Sequence, residues 1–334
     1  MLFENKYIKL IIELLVIKLI LINKKIIKNK ILIQSRDELL KLKKITKYVK
    51  TIHSDSFNLN LGNGLFVINN LINICANIKC KYILIPNGLG TIFKNPIFYK
   101  EYNITLLPYS YKSKIDISLK LDNLEILIFR YNNSSNHLRM NIIKQEILNN
   151  LPRYNASPYD LYINIRSGDI FTDMIHSNYS QPPLCFYQTI INKHKYNNIY
   201  ILSNGHENPI VDELLKLYPK FKYIHGTVLE DASILVNVYN LVLPVSSFPY
   251  SLIRLNDNLR IIYIYDILVN YEKELWYGTD NYLNNLNATI YKMKPSSIYE
   301  SLMKGRWNNT KEQLNLMIKE KCIDDNLDVI PHKN

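Results

Sequence analysis

The chain has only four cysteines in 334 residues and no Cys-x-x-Cys pair, so it offers no zinc-finger or thioredoxin-type spacing. Cys75, Cys80, Cys185 and Cys322 are too few for a disulfide framework and read as buried thiols, with a single bridge as the alternative. Several catalytic signatures are also missing: His-Glu-x-x-His, an Asp-x-Asp pair for a metal-held diphosphate, Gly-x-Ser-x-Gly, and the Lys-Ser/Thr end of a P-loop. There is no aromatic ribonucleoprotein signature and no basic-leucine pattern. The longest apolar run, residues 7–22, is interrupted by Lys9, Glu13 and Lys18, and no small-residue cleavage site follows it.

What is present describes a globular protein. Hydrophobic residues make up 47% of the chain, enough for substantial cores, and a mean hydropathy of −0.11 excludes a polytopic membrane protein. The net charge of +12 is unevenly placed: residues 1–50 hold 13 basic and 4 acidic side chains, a net +9, and leave the remaining 284 residues nearly balanced. Basic character confined to one end argues against specific nucleic-acid binding. Residues 1–50 read as a basic helical stem, with Ser35 and Glu38 spaced as a capping box. Three readings of residues 7–22 stay open: a signal-anchor, a peripheral membrane helix, or a helix of a soluble protein. A charge at the centre of a membrane helix costs about 2.5–3.5 kcal/mol. Localisation follows that choice, either membrane-associated as in a type II Golgi or endoplasmic-reticulum protein, or cytoplasmic.

From residue 51 the chain reads as α/β. Leu61-Gly62-Asn63-Gly64 opens an apolar helix at 65–76, a strand follows at 81–86, and Asn87-Gly88-Leu89-Gly90 is a turn, as at the start of a Rossmann-type unit. Strands near 104–107 and 124–129 and a helix near 142–149 complete a first domain, 51–155. Residues 149–158, with Pro152 and Pro158, read as the linker. The second domain, 156–290, alternates more clearly. Its strands are expected at 161–165, 199–203, 221–225, 241–245 and 260–265, and its helices at 184–193, 209–218, 230–240 and 248–256. Short apolar strands separated by helices imply a parallel sheet, with the loops at the strand ends on one edge. Residues 291–334 are expected to be a helical tail.

The candidate site residues lie in those loops. Arg166, followed by Ser167-Gly168-Asp169 at the end of a buried strand, is placed to grip a phosphate with two parallel hydrogen bonds, a surface ion pair being the alternative. Asp169 reads as the residue that orients the guanidinium, because an adjacent cation makes a carboxylate a weaker base. About ten residues on, 179–187 form a proline-stiffened turn into a helix. Ser246, Ser247 and Phe248 start a helix where hydroxyls and free N–H groups suit an anion, or where a serine merely caps. Ser203 ends the next strand. Glu230 and Asp231 favour a helix start electrostatically, with a sugar or ribose hydroxyl as the other use. His206 is an acid–base candidate or a solvated loop histidine. Gly62 and Asn63 permit close approach of a ligand to the backbone. With no metal motif in the chain, a metal-free phosphate site built from Arg and helix starts is the economical inference.

Three of these segments resemble a known family. Leu61-Gly62-Asn63-Gly64-Leu65-Phe66 resembles the GLGNQxF opening of α-1,2-fucosyltransferases. Asn164-Ile165-Arg166-Ser167-Gly168-Asp169 resembles the HxRxGD motif shared by α-1,2-, α-1,6- and protein O-fucosyltransferases, and Ser246-Ser247-Phe248-Pro249-Tyr250 resembles their STFS segment. The segments occur in family order. The resemblance implies a GT-B-like fold of two Rossmann-type halves with parallel sheets, preceded here by the N-terminal helix. It implies an enzyme, a glycosyltransferase that moves fucose with inversion from GDP-fucose, or another nucleotide-sugar donor, to a glycan or glycoprotein acceptor, with no further cofactor. It implies that Arg166 meets the donor's β-phosphate, that Ser246, Ser247 and Phe248 line the donor pocket, and that Asn164 sits there in place of the family's His. A carboxylate, Asp169, Asp173 or Glu207, or the acceptor's own surroundings, would take the acceptor's proton. Gly64 stands for the family's Gln and Pro249 for its last Ser. These departures leave a second expectation, a non-catalytic nucleotide- or glycan-binding relative tethered to a membrane.

Overall fold

The computed structural model describes residues 50–54, 61–86, 89–90, 92–100, 102–114, 119–121, 136–172, 175–267, 286–322 and 327–330. The N-terminal stem with its expected helix at 7–22, the strand expected at 124–129, and Asp173 lie outside the described residues.

Two sheets carry the chain. The first is built from β1 (Thr51–Ser54), β2 (Tyr82–Leu84), β3 (Ile97–Tyr99), β4 (Ile104–Leu107) and β5 (Leu119–Leu121), in the order β3-β4-β2-β1-β5. All its pairings are parallel except β3 with β4. Its helices are α1 (Leu61–Ile78) and α2 (Asn136–Asn150). α1 is buried along most of its length, its apolar residues packing into the core around the buried Asn69 and Asn73.

The second sheet contains β6 (Leu161–Ile165), β7 (Ile199–Ser203), β8 (Lys222–Ile224), β9 (Asn240–Leu243), β10 (Ile261–Tyr265), β11 (Thr289–Met293) and β12 (Leu327–Ile330), in the order β12-β11-β10-β9-β6-β7-β8. Only β12 runs antiparallel to its neighbour. Between the strands lie α3 (Leu184–Lys193), α4 (Pro209–Leu217), α5 (Val228–Leu235) and α6 (Ser247–Leu252), and beyond β11 come α7 (Ser297–Met303) and α8 (Lys311–Lys319). The chain thus forms two Rossmann-type halves with parallel-dominated sheets.

Local chemistry sets the element limits. Asn208 caps α4 by accepting from the Ile210 N–H at 3.1 Å, with Pro209 in the first turn. Thr227 and Glu230 close a capping box on α5, so that helix starts two residues before the expected 230 and ends at 235. β9 stops at Leu243 because Pro244 has no N–H to offer the ladder. At the opposite sheet edge the Asp160 carboxylate accepts from Asn198 N at 3.1 Å and Nδ2 at 2.9 Å, and the Asn240 amide donates to the Asp160 carbonyl at 2.9 Å. These bonds latch β6, β7 and β9 in register.

Two expectations change. Residues 291–334 are not simply helical: β11 and β12 extend the second sheet on its β10 side, and α7 and α8 lie between them. The cysteines are not free thiols: Cys75 pairs with Cys80, and Cys185 pairs with Cys322 across 137 residues, their Cα atoms 4.9 and 5.4 Å apart.

Candidate active site

In the second sheet the chain runs β6 to β7 to β8 in one direction and then returns to place β9 on the other side of β6. The strand order therefore reverses between β6 and β9. In open α/β sheets the crevice at the carboxyl ends of two such strands is where ligands bind. Arg166 follows β6, and Ser246 follows β9 by three residues, so the topology puts the two candidate motifs on either side of one crevice.

All five residues of β6 are buried, and Arg166 is the first to emerge. Its Nη2 is ion-paired with Asp169 Oδ1, which also accepts from the Ile170 N–H at 3.0 Å. Asp169 thus holds the guanidinium against a short 3-10 turn, Gly168–Phe171. Gly168 has φ of +70°, a conformation that favours glycine, and a side chain there would meet the Asn204 amide at 2.7 Å.

The loop after β7 fastens this turn. Asn204 Oδ1 accepts from the Ser167 N–H at 3.2 Å, and Glu207 Oε2 accepts from Ser167 Oγ at 2.9 Å and Gly168 N–H at 3.0 Å. Asn208 donates through its N–H to Ser167 Oγ at 2.8 Å and through Nδ2 to the Arg166 carbonyl at 2.9 Å. Glu207 is held below the usual carboxylate range by its own backbone N–H and the Ser167 hydroxyl, helped by the Gly168 N–H and opposed by desolvation. Neither of the two carboxylates named above as proton acceptors and described here is set up for that task. Asp169 is committed to Arg166, and the Glu207 carboxylate is spent on the turn. Sequence reasoning missed Asn204 and Asn208 as supports. The Asn-Pro start of α4 signals the cap, but nothing local shows that Asn208 also reaches a loop 42 residues earlier.

The other candidates separate. Asn164 is buried and donates to the Leu202 carbonyl at 3.2 Å, so its amide is engaged inside the sheet. Ser203 Oγ donates to the Gly205 carbonyl at 2.9 Å and shapes that turn. Glu230 belongs to the α5 cap, where the Thr227 N–H and hydroxyl hold it low. Asp231, next to it, behaves differently. It is buried, its Oδ1 has no hydrogen-bond partner, and burial pushes its pKa up to about 6, with Glu230 adding to the rise and His225 and the Gly226 N–H opposing it. A buried acceptor without a donor, in the first turn of the helix that follows β8, is suited to a ligand hydroxyl or N–H. His206 places Nδ1 2.6 Å from Asp212 Oδ1, with its ring 4.6 Å from that of Tyr223.

On the β9 side, Ser246 is the N-cap of α6 but makes no side-chain capping bond, and Ser247 and Phe248 are half-buried. The first half of the molecule meets them here. A Cβ on Gly62 would lie 2.6 Å from the Phe248 Cα and 2.8 Å from its N, so only glycine lets the start of α1 rest on the α6 backbone. Arg254 stacks over the Phe66 ring at 4.7 Å beside this contact, and Asn63 is half-buried. Gly62 and Phe248, 186 positions apart in sequence, are thus in backbone contact at the rim of the β6/β9 crevice.

Comparison with known proteins gives little beyond this geometry. No protein-family model and no curated protein matches the chain. Among solved structures the chain is similar to the E. coli heptosyltransferase WaaC with ADP, at 10% identity and a TM-score of 0.40 over 73% of this chain and 93% of that one. It is also similar to the same enzyme with ADP-2-deoxy-2-fluoro heptose, at 11% identity and a TM-score of 0.35 over 65% and 89%.

Proposed function

We propose that the protein is a glycosyltransferase that takes its sugar from a nucleoside-diphosphate donor bound in the β6/β9 crevice. One observation carries this reading: Arg166 and Ser246–Phe248 flank the reversal point of the second sheet, and Gly62 of the first sheet's leading helix closes on that point. A diphosphate there meets a guanidinium already held by Asp169. Arg166 neutralises the charge that develops on the departing diphosphate, and Ser246 and Ser247 contribute hydroxyls and N–H groups. Asp231 accepts from a hydroxyl or N–H of the nucleoside. The acceptor enters from the side of the first sheet.

The resemblance of residues 61–66, 164–169 and 246–250 to fucosyltransferase motifs supports GDP-fucose as the donor, with inversion at the anomeric carbon and a glycan or protein hydroxyl as acceptor. The net +9 of residues 1–50 supports contact of that segment with an anionic membrane surface.

The test is release of GDP from GDP-fucose by the full chain supplied with a glycan mixture. Arg166→Ala is expected to abolish turnover with the circular-dichroism spectrum unchanged, and turnover near wild type in that variant contradicts the mechanism. A second reading, a relative that binds without catalysis, is favoured by Asn164, whose amide is tied to Leu202 and exchanges no proton near neutrality. Nucleotide binding with no turnover on any acceptor selects it.

A further inference from the structure

We infer that Trp307, in the C-terminal segment, is a positioning residue that holds the Arg166 turn in the geometry needed to grip a diphosphate. This inference rests on the donor-binding reading above.

The 3-10 turn Gly168–Phe171 has a weakness common to short helices: its last carbonyls lack partners within the turn. The Asp169 carbonyl is taken by the Thr172 N–H. The next two are satisfied from the other end of the chain: Trp307 Nε1 donates to the Ile170 carbonyl at 3.0 Å, and Asn309 Nδ2 donates to the Phe171 carbonyl at 2.5 Å. The Trp307 ring meets the Phe171 ring edge-on at 5.1 Å, and its backbone N–H donates to the Ser177 carbonyl at 2.9 Å. Trp307 is 2% exposed and its indole bond to Ile170 is buried, where leaving it unmade is expensive. A continuous path results: Trp307 fixes Ile170, the Ile170 N–H fixes the Asp169 carboxylate, and that carboxylate holds Arg166.

The same segment reaches the opposite wall of the crevice. Tyr299 OH donates to the Gln181 carbonyl at 2.7 Å, and Gln181 Nε2 donates to the Val245 carbonyl at 3.2 Å, immediately before Ser246. Gln313 stiffens the loop that presents Trp307, accepting from Asn308 N at 2.9 Å and donating to the Arg306 carbonyl at 2.8 Å. The Cys185–Cys322 bridge pins the segment beyond α8. Residues 299–322 are therefore bonded directly to the arginine lip of the crevice, through Trp307 and Asn309, and to the Ser246 lip through Gln181.

The experiment compares wild type, Trp307→Phe and Asn309→Gly in the full chain. Phe retains the ring contact and loses the N–H; Gly accommodates the φ of +52° at that position and loses only the amide. Affinities for GDP and for guanosine are measured by calorimetry, and amide exchange by mass spectrometry. Trp307→Phe is expected to weaken GDP about tenfold, the loss of one buried hydrogen bond acting through Arg166, and to leave guanosine within about twofold. Asn309→Gly is expected to shift both ligands in the same sense by less. Amides 168–172 exchange faster in both variants while those of β9 do not. In an Arg166→Ala background, Trp307→Phe adds no further loss for GDP, because the two residues act in series. Equal weakening of GDP and guanosine, unchanged GDP affinity, or a full additional loss in the Arg166→Ala background overturns the inference. If wild type binds no GDP and Arg166→Ala changes nothing, the donor-binding reading itself falls and this inference goes with it. Slowed or unchanged exchange at 168–172 in Trp307→Phe refutes the bracing alone.

Discussion

Asp231 shows how one side chain, rather than a motif, can mark a site. A carboxylate raised from 3.8 to about 6 is stabilised in its neutral form by the fold. Its contribution to stability is fully present below its unfolded value and is lost as the pH rises through about 6. Replacement by the isosteric, uncharged Asn removes that dependence. Asp231→Asn is therefore expected to gain on wild type by about 1–2 kcal/mol between pH 4 and pH 7, after allowance for solvent screening. Urea unfolding at the two pH values reads the difference, and a gain of equal size at both would remove the case for a strained carboxylate. If Asp231 serves a ligand, the more stable variant binds nucleoside less well, a trade common at functional positions. Sequence placed Glu230 and Asp231 together as acidic residues at a helix start. It could not separate them, because the difference lies in which one turns toward the capping Thr227 and which one is buried against Gly226.

The elements themselves were largely legible, for identifiable reasons. The expected limits 161–165, 184–193 and 199–203 coincide with the observed elements, because each is a short apolar run with a sharp chemical boundary: Arg166, Pro183 or Asn204. The strand expected near 104–107 is present, and its burial alternates along it. What escaped notice depends on distant partners. β12 exists only by pairing with β11, Cys185 finds Cys322 across 137 residues, and Trp307 meets Ile170 across the same separation. The contact between Gly62 and Phe248 is of this kind, and it carries a prediction at the scale of the helix. Gly62→Ala forces α1 away from the α6 backbone and is expected to cost about 1–3 kcal/mol, an overpacking penalty, in chemical denaturation. Because backbone rather than a flexible side chain fills the space, the change should also weaken donor binding. A variant as stable as wild type would show that the two helix starts do not meet.

At the scale of the molecule, one hydrophobic core runs from the first sheet through α1, α2 and α6 into the second, so the crevice is framed by a continuously packed body. Among the described residues no helix is long and apolar enough to cross a membrane, and residues 7–22 lie outside them. The central claim is that this body holds a nucleoside diphosphate at the β6/β9 reversal point through Arg166. Its most direct test is the thermal stability of the full chain with GDP-fucose, GDP, ADP, guanosine and no ligand, repeated on Arg166→Ala. A ligand at 100 times its Kd adds about 2.7 kcal/mol, a shift of several degrees. The account expects GDP and GDP-fucose to raise the transition in the wild-type protein, guanosine to raise it less, and Arg166→Ala to abolish the difference between GDP and guanosine. No shift with any diphosphate, or the same shift in Arg166→Ala, would contradict it.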